Sequence, residues 1–71
     1  MNKKEKISEI LNFINLYPAS TASLTIIRKH TDYPYHPENI NFDKNKVYFN
    51  LKQHLETENK EEIDFCYYLI K

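Results

Sequence analysis

Three histidines, one cysteine and a cluster of acids are the residues of this chain best suited to chemistry. The histidines are His30, His36 and His54, and the thiol is Cys66. Zinc takes three or four ligands, mostly from closely spaced Cys or His pairs, and none of those spacings occurs here. His30 and His36 pair only across a loop, so no metal site and no cofactor are expected. Cys66 with His54 would make a thiol nucleophile and its base. No motif supplies an oxyanion hole or a third orienting group, so no catalytic residue is expected either. The acids Glu56, Glu58, Glu61, Glu62 and Asp64 match no calcium loop and lack its glycine. They read as a solvated tip, or as a surface that docks on an Arg/Lys-rich groove in place of nucleic-acid phosphates.

Size and charge point the same way. Seventy-one residues make one small domain, which buries roughly 60% of its unfolded surface and leaves little room for a deep cleft beside a core. Enzymatic activity is not expected. The formal charge is zero, against the basic excess of a dedicated duplex binder. Residues 1–30 carry five basic groups and two acids, a net of +3, and residues 56–71 carry five acids and two lysines, a net of −3. A single cysteine cannot close an internal disulfide, and no long apolar run appears. A cytoplasmic protein without membrane contact is expected. Glycine is absent, so turns of positive φ would fall to Asn, Asp or Lys.

The elements that must position these residues follow from periodicity. Ile7, Ile10, Leu11 and Ile14 lie at i, i+3, i+4 and i+7, which predicts a helix over 3–17 with Asn2 as N-cap and Pro18 as the stop. Leu24 to Arg28 is rich in β-branched residues and reads as a strand over about 24–29, with a helix from near Ser20 as competitor. Thr31–Pro37 reads as an extended loop carrying Tyr33 and Tyr35. A brief strand over 40–42 leads through an Asp43–Asn45 turn to strands over about 46–56 and 61–70. Val47, Phe49, Leu51 and Leu55 alternate with Tyr48, Asn50, Lys52 and His54, and Ile63, Phe65, Tyr67 and Leu69 alternate in the same way. Pairing the two strands by parity sets a carboxylate, Asp64 or Glu62, opposite His54.

The expected fold is α+β: one amphipathic helix on one face of a three- to four-stranded antiparallel sheet. The alternative is a mostly helical, winged-helix-like domain. Val47, Leu51 and Leu55 also fit a helix capped by Asp43, and Ile63, Cys66, Tyr67 and Ile70 also lie at i, i+3, i+4 and i+7. In the α+β fold the uncovered sheet face shows Tyr48, Asn50, Lys52, His54 and Tyr68. This face, the loop tyrosines Tyr33 and Tyr35, and the acidic tip are the candidate partner-binding surfaces.

The function expected from these features is a small non-enzymatic binding protein acting through protein–protein contact. Its partner would be another protein with a basic nucleic-acid-binding groove. The concrete version is a phage or mobile-element inhibitor of a host nucleic-acid-handling enzyme such as a CRISPR nuclease. The alternatives are a small nucleic-acid-binding transcriptional regulator of winged-helix type, and a homodimeric structural module.

Overall fold

A computed structural model describes residues 2–31 and 43–71, with Lys44 described by its backbone alone. Four helices account for 81% of these residues: α1 Lys3–Leu16, α2 Thr21–His30, α3 Lys44–Thr57 and α4 Lys60–Leu69. None of the described residues lies in a strand. The expected antiparallel sheet, and the α+β class with it, is therefore overturned. The predicted strand 24–29 lies inside α2, 46–56 inside α3, and 61–70 coincides with α4. The predicted strand 40–42 lies outside the described residues.

Each helix starts on a side chain that accepts a hydrogen bond from an otherwise unpaired backbone N–H. Asn2 accepts from the Glu5 amide, Ser20 from Ser23, Asp43 from Lys46 and Asn59 from Glu62. No described residue has positive φ, so the turns expected of Asn, Asp or Lys in that region are absent among these residues. Three helices stop instead on a residue outside the helical region: Tyr17, Thr31 and Glu58. Pro18 enforces the first of these stops. Only two residues, Glu58 and Asn59, separate α3 from α4.

The core explains why helix prevails over strand. Ile7, Ile10 and Ile14 of α1 pack with Ile26 and Ile27 of α2, Val47, Leu51 and Leu55 of α3, and Ile63 and Cys66 of α4. In α3 the buried residues recur every four positions, the spacing of one helical face. The strand pattern needs Gln53 among its apolar residues, and Gln53 is exposed in α3. Phe49 and Phe65, which also favour the two-residue period, are 62% and 46% exposed. Their exposure is offset by complete burial of Val47, Leu51, Leu55 and Ile63. In α2 the buried positions are Ser23, Ile26, Ile27 and His30. These form an i, i+3, i+4, i+7 stripe with polar residues at both ends, so tertiary packing overrides the β-branched propensity of its middle.

Helix α1 packs against α3 and α4, and α2 packs against α3. The α1–α2 corner is pinned by Ser23, whose hydroxyl donates to the Tyr17 carbonyl at 2.6 Å. No helix among the described residues is long and apolar enough to cross a membrane.

Candidate functional site

Two regions carry features beyond packing: a polar cluster where α2, α3 and α4 meet, and an open groove between α1 and α4.

The polar cluster is assembled from helix ends. Arg28, Lys29 and His30 occupy the last turn of α2, where the helix dipole favours positive charge. Glu61 and Glu62 occupy the first turn of α4, where it favours negative charge. The two ends meet, with Lys29 Nζ 3.1 Å from Glu62 Oε2 and 4.7 Å from the centroid of the Phe65 ring. That Lys29–Glu62 contact is an ion pair without hydrogen-bond alignment, so the buried Glu62 Oε2 has no hydrogen-bond partner.

His30 sits behind this pair and is only 3% exposed. Its Nε2 lies 3.3 Å from Cys66 Sγ and 3.8 Å from Glu62 Oε2. Its Nδ1 lies 4.0 Å from Glu58 Oε1. Burial pushes the imidazole below its ordinary value of 6.5, against the opposing pull of Glu58 and Glu62, so the ring is neutral at pH 7. Burial, and after it the Glu62 carboxylate, pushes the Cys66 thiol up to about 11. Cys66 is therefore a protonated, buried thiol and a poor nucleophile. His54 completes the cluster from the last turn of α3. Its ring centroid is 5.7 Å from that of His30, and its Nε2 is 3.3 Å from Glu58 Oε1. His54 and Glu58 face each other because i and i+4 share a helical face.

The groove between α1 and α4 has a volume of about 470 Å³ and is lined by Phe13, Leu16, Tyr67 and Ile70, with Ser8, Glu9, Asn12 and Lys71. The Phe13 and Tyr17 rings contact at a tilt of 49° with centroids 5.0 Å apart, and Lys71 Nζ lies 4.7 Å from the centroid of Tyr67. Leu16 and Tyr17 are 61% and 55% exposed. A second depression, between α1 and α3, is lined by Lys3, Lys4, Ile7, Leu11, Lys52 and Glu56, with Ser8.

The structure disperses most of the residues predicted to bind a partner. Tyr48, Asn50, Lys52 and His54 share a face only in a strand. At about 100° per residue they split into two pairs on opposite sides of the helix, Tyr48 with Lys52 and Asn50 with His54. Tyr48 is half-buried, with its hydroxyl 3.5 Å from Asn15 Oδ1. Lys52 and Glu56 meet in the α1–α3 depression, Asn50 is exposed beside Phe49, and His54 joins the polar cluster. Tyr68 is 76% exposed on α4. The acidic tip is largely engaged within the chain. Glu58 contacts His54, Glu62 contacts Lys29, and Asp64 accepts from Lys6 at 2.5 Å. Glu56 and Glu61 are exposed. Tyr33 and Tyr35 lie outside the described residues.

The parity argument set a carboxylate against His54, and one is there, but it is Glu58 rather than Asp64 or Glu62. It arrives by the helical i, i+4 spacing and not across a strand pair. The sequence reading missed His30 as the centre of the cluster. The available signals were His54–Glu58 and Glu62–Cys66, both at i, i+4, which carry meaning only once both segments are helical. No protein-family model, curated protein or solved structure matches the chain.

Proposed function

We propose that this chain is a small, non-enzymatic helical binding module that docks another protein along the α1–α4 groove. The carrying observation is the exposure of large hydrophobic side chains: Leu16, Tyr17, Phe49, Phe65 and Tyr68 are all exposed in a chain of 71 residues. Of these, Leu16 lines the groove and Tyr17 lies ring against ring with Phe13, another of its lining residues, so apolar exposure is contiguous there, a common mark of a contact surface. Leu16 lines the groove with Phe13, Tyr67 and Ile70, an apolar lining of the kind that accepts an amphipathic helix. An inhibitor or adaptor role follows. A host nucleic-acid-handling enzyme, such as a CRISPR nuclease, stays the concrete partner class. The apolar groove now carries the proposal, because three of the five acids meant to replace phosphates are engaged by this chain's own side chains.

The test is a pull-down from host lysate, with and without nuclease treatment, using the wild-type chain and Leu16→Asp. The expected result is a protein recovered by the wild type after nuclease treatment and lost with Leu16→Asp. Recovery that vanishes with the nucleic acid would sink this reading.

A second reading, a small nucleic-acid-binding regulator, gains support from the all-helical architecture, which is the general plan that reading requires. Helices α2 and α3 offer Thr25, Arg28, Asn45, Lys46, Asn50 and Gln53, all exposed, with the exposed Asp43 beside Asn45 and Lys46. Asn, Gln, Arg and Lys are the residue types that read base edges and phosphates. The described residues include no β-wing, and the zero formal charge weighs against this reading. Salt-dependent mobility shift on duplex DNA separates it from the first.

A further inference from the structure

We propose that His30, His54 and Glu58 form a binding site for one divalent transition-metal ion of the zinc class. The inference is independent of protein docking, because the groove lies between other helices.

Each of the three residues offers one ligand atom, and these atoms all lie within 4.8 Å of one another. His54 Nε2 and Glu58 Oε1 are 3.3 Å apart, and His30 Nδ1 is 4.0 Å from the same carboxylate oxygen. Metal–ligand bonds of about 2.0–2.2 Å in tetrahedral geometry put ligand atoms about 3.3–3.6 Å apart. The set therefore needs about 1 Å of closure at its widest separation. The side chains that must move are those with freedom to do so. His54 is exposed on the last turn of α3, and Glu58 is half-buried at its C-cap. His30 is packed in place.

The donor types also fit. Two imidazoles and one carboxylate leave a fourth position for water, a recognised zinc set. His30 is packed between α2 and α4 and presents Nδ1 to the Glu58 carboxylate, so the ring is already oriented for ligation. Ligation at Nδ1 puts the remaining ring proton on Nε2, which faces Glu62 Oε2 at 3.8 Å and Cys66 Sγ at 3.3 Å. A carboxylate behind a ligating histidine is the usual support that fixes its tautomer. Glu62 Oε2 is buried and lacks a hydrogen-bond partner, so it is placed to take that role. The thiol stays outside the set because its Sγ faces Nε2, the ring nitrogen opposite the ligating one.

The untagged 71-residue chain, stripped with a chelator, is titrated with Zn²⁺ and separately with Co²⁺. One equivalent should bind. Cobalt should give the visible d–d band of a four-coordinate site without a thiolate charge-transfer band. His54→Ala and Glu58→Gln should each weaken zinc affinity by about tenfold or more, in proteins whose circular dichroism matches the wild type. Glu56→Gln, an exposed acid two residues from Glu58, should leave affinity unchanged. An unaltered cobalt spectrum in the wild type, a thiolate band, or full zinc affinity in His54→Ala would each overturn the proposal. In the first and third cases the cluster would be an ordinary histidine–carboxylate network.

Discussion

The polar end and the apolar groove are opposites in how they spend their side chains. At the polar end, charged and polar groups contact one another: His30 with Cys66, Glu62 with Lys29, Glu58 with His54. In the groove, Leu16 is 61% exposed beside the half-buried Phe13. Removing a member of the first region strands another buried polar atom, which costs stability. Removing a member of the second strands nothing. The contrast predicts that stability and binding separate by region, and substitutions can break it.

The largest effect belongs to the core shared by both regions. Leu51 is completely buried on α3. Leu51→Ala should cost about 2–5 kcal/mol, read from urea denaturation, and both regions should melt in one transition. Two separate transitions, followed by near-UV signals from Tyr67 and from a probe at His54, would show that the regions are not coupled through α3. His30→Ala comes next. It removes a 3%-exposed ring and leaves Cys66 Sγ and Glu62 Oε2 facing a void. A loss of about 1–3 kcal/mol in metal-free buffer is expected. His54→Ala, at the exposed edge of the same cluster, should fall within about 0.5 kcal/mol of wild type. Equal losses for the two histidines would erase the distinction between buried and rim positions.

On the groove side, Leu16→Asp should leave stability within about 0.5 kcal/mol while abolishing partner capture. A large drop in denaturation midpoint would mean that Leu16 is structural and that the groove is not a free surface.

The contrast also governs what was legible from the chain alone. Helix α1 was readable because Ile7, Ile10, Leu11 and Ile14 form an unbroken apolar stripe behind a capping Asn2. Helix α2 was hidden because its stripe is Ser23, Ile26, Ile27 and His30, and its polar ends do not register as a buried face. Those same polar residues build the corner and the cluster, so the feature that obscured the helix is also the one that makes the site. Helices α3 and α4 carried both periods at once. Four N-caps, Asn2, Ser20, Asp43 and Asn59, were the arbitrating signal, because a cap side chain has a specific backbone partner three residues on. Short apolar runs have no such partner and stay ambiguous. The polar cluster was beyond reach because His30 and Cys66 are 36 residues apart and meet only through packing.

The smallest expected effect tests the one acid of the former tip that works on the groove side. Asp64 on α4 accepts a hydrogen bond from Lys6 on α1, and Lys6 also lies 5.7 Å over the Tyr67 ring. That hydrogen bond, and after it the lysine's charge, holds the Asp64 carboxyl below its ordinary 3.8. A depressed folded-state value means that the unfolded chain binds the proton more tightly. The contribution of the pair is therefore fully present above pH 3.8 and fades as pH falls through the folded value. Asp64→Asn removes the titration and keeps the shape. The difference in urea midpoint between wild type and Asp64→Asn should be small and constant from pH 7 to pH 5, then shrink toward zero in more acid solution. Added salt should shrink it at every pH, since the carboxylate is exposed. A difference that persists unchanged into strong acid would assign the Lys6 contact to packing on Tyr67 and leave the α1–α4 side held by apolar contact alone.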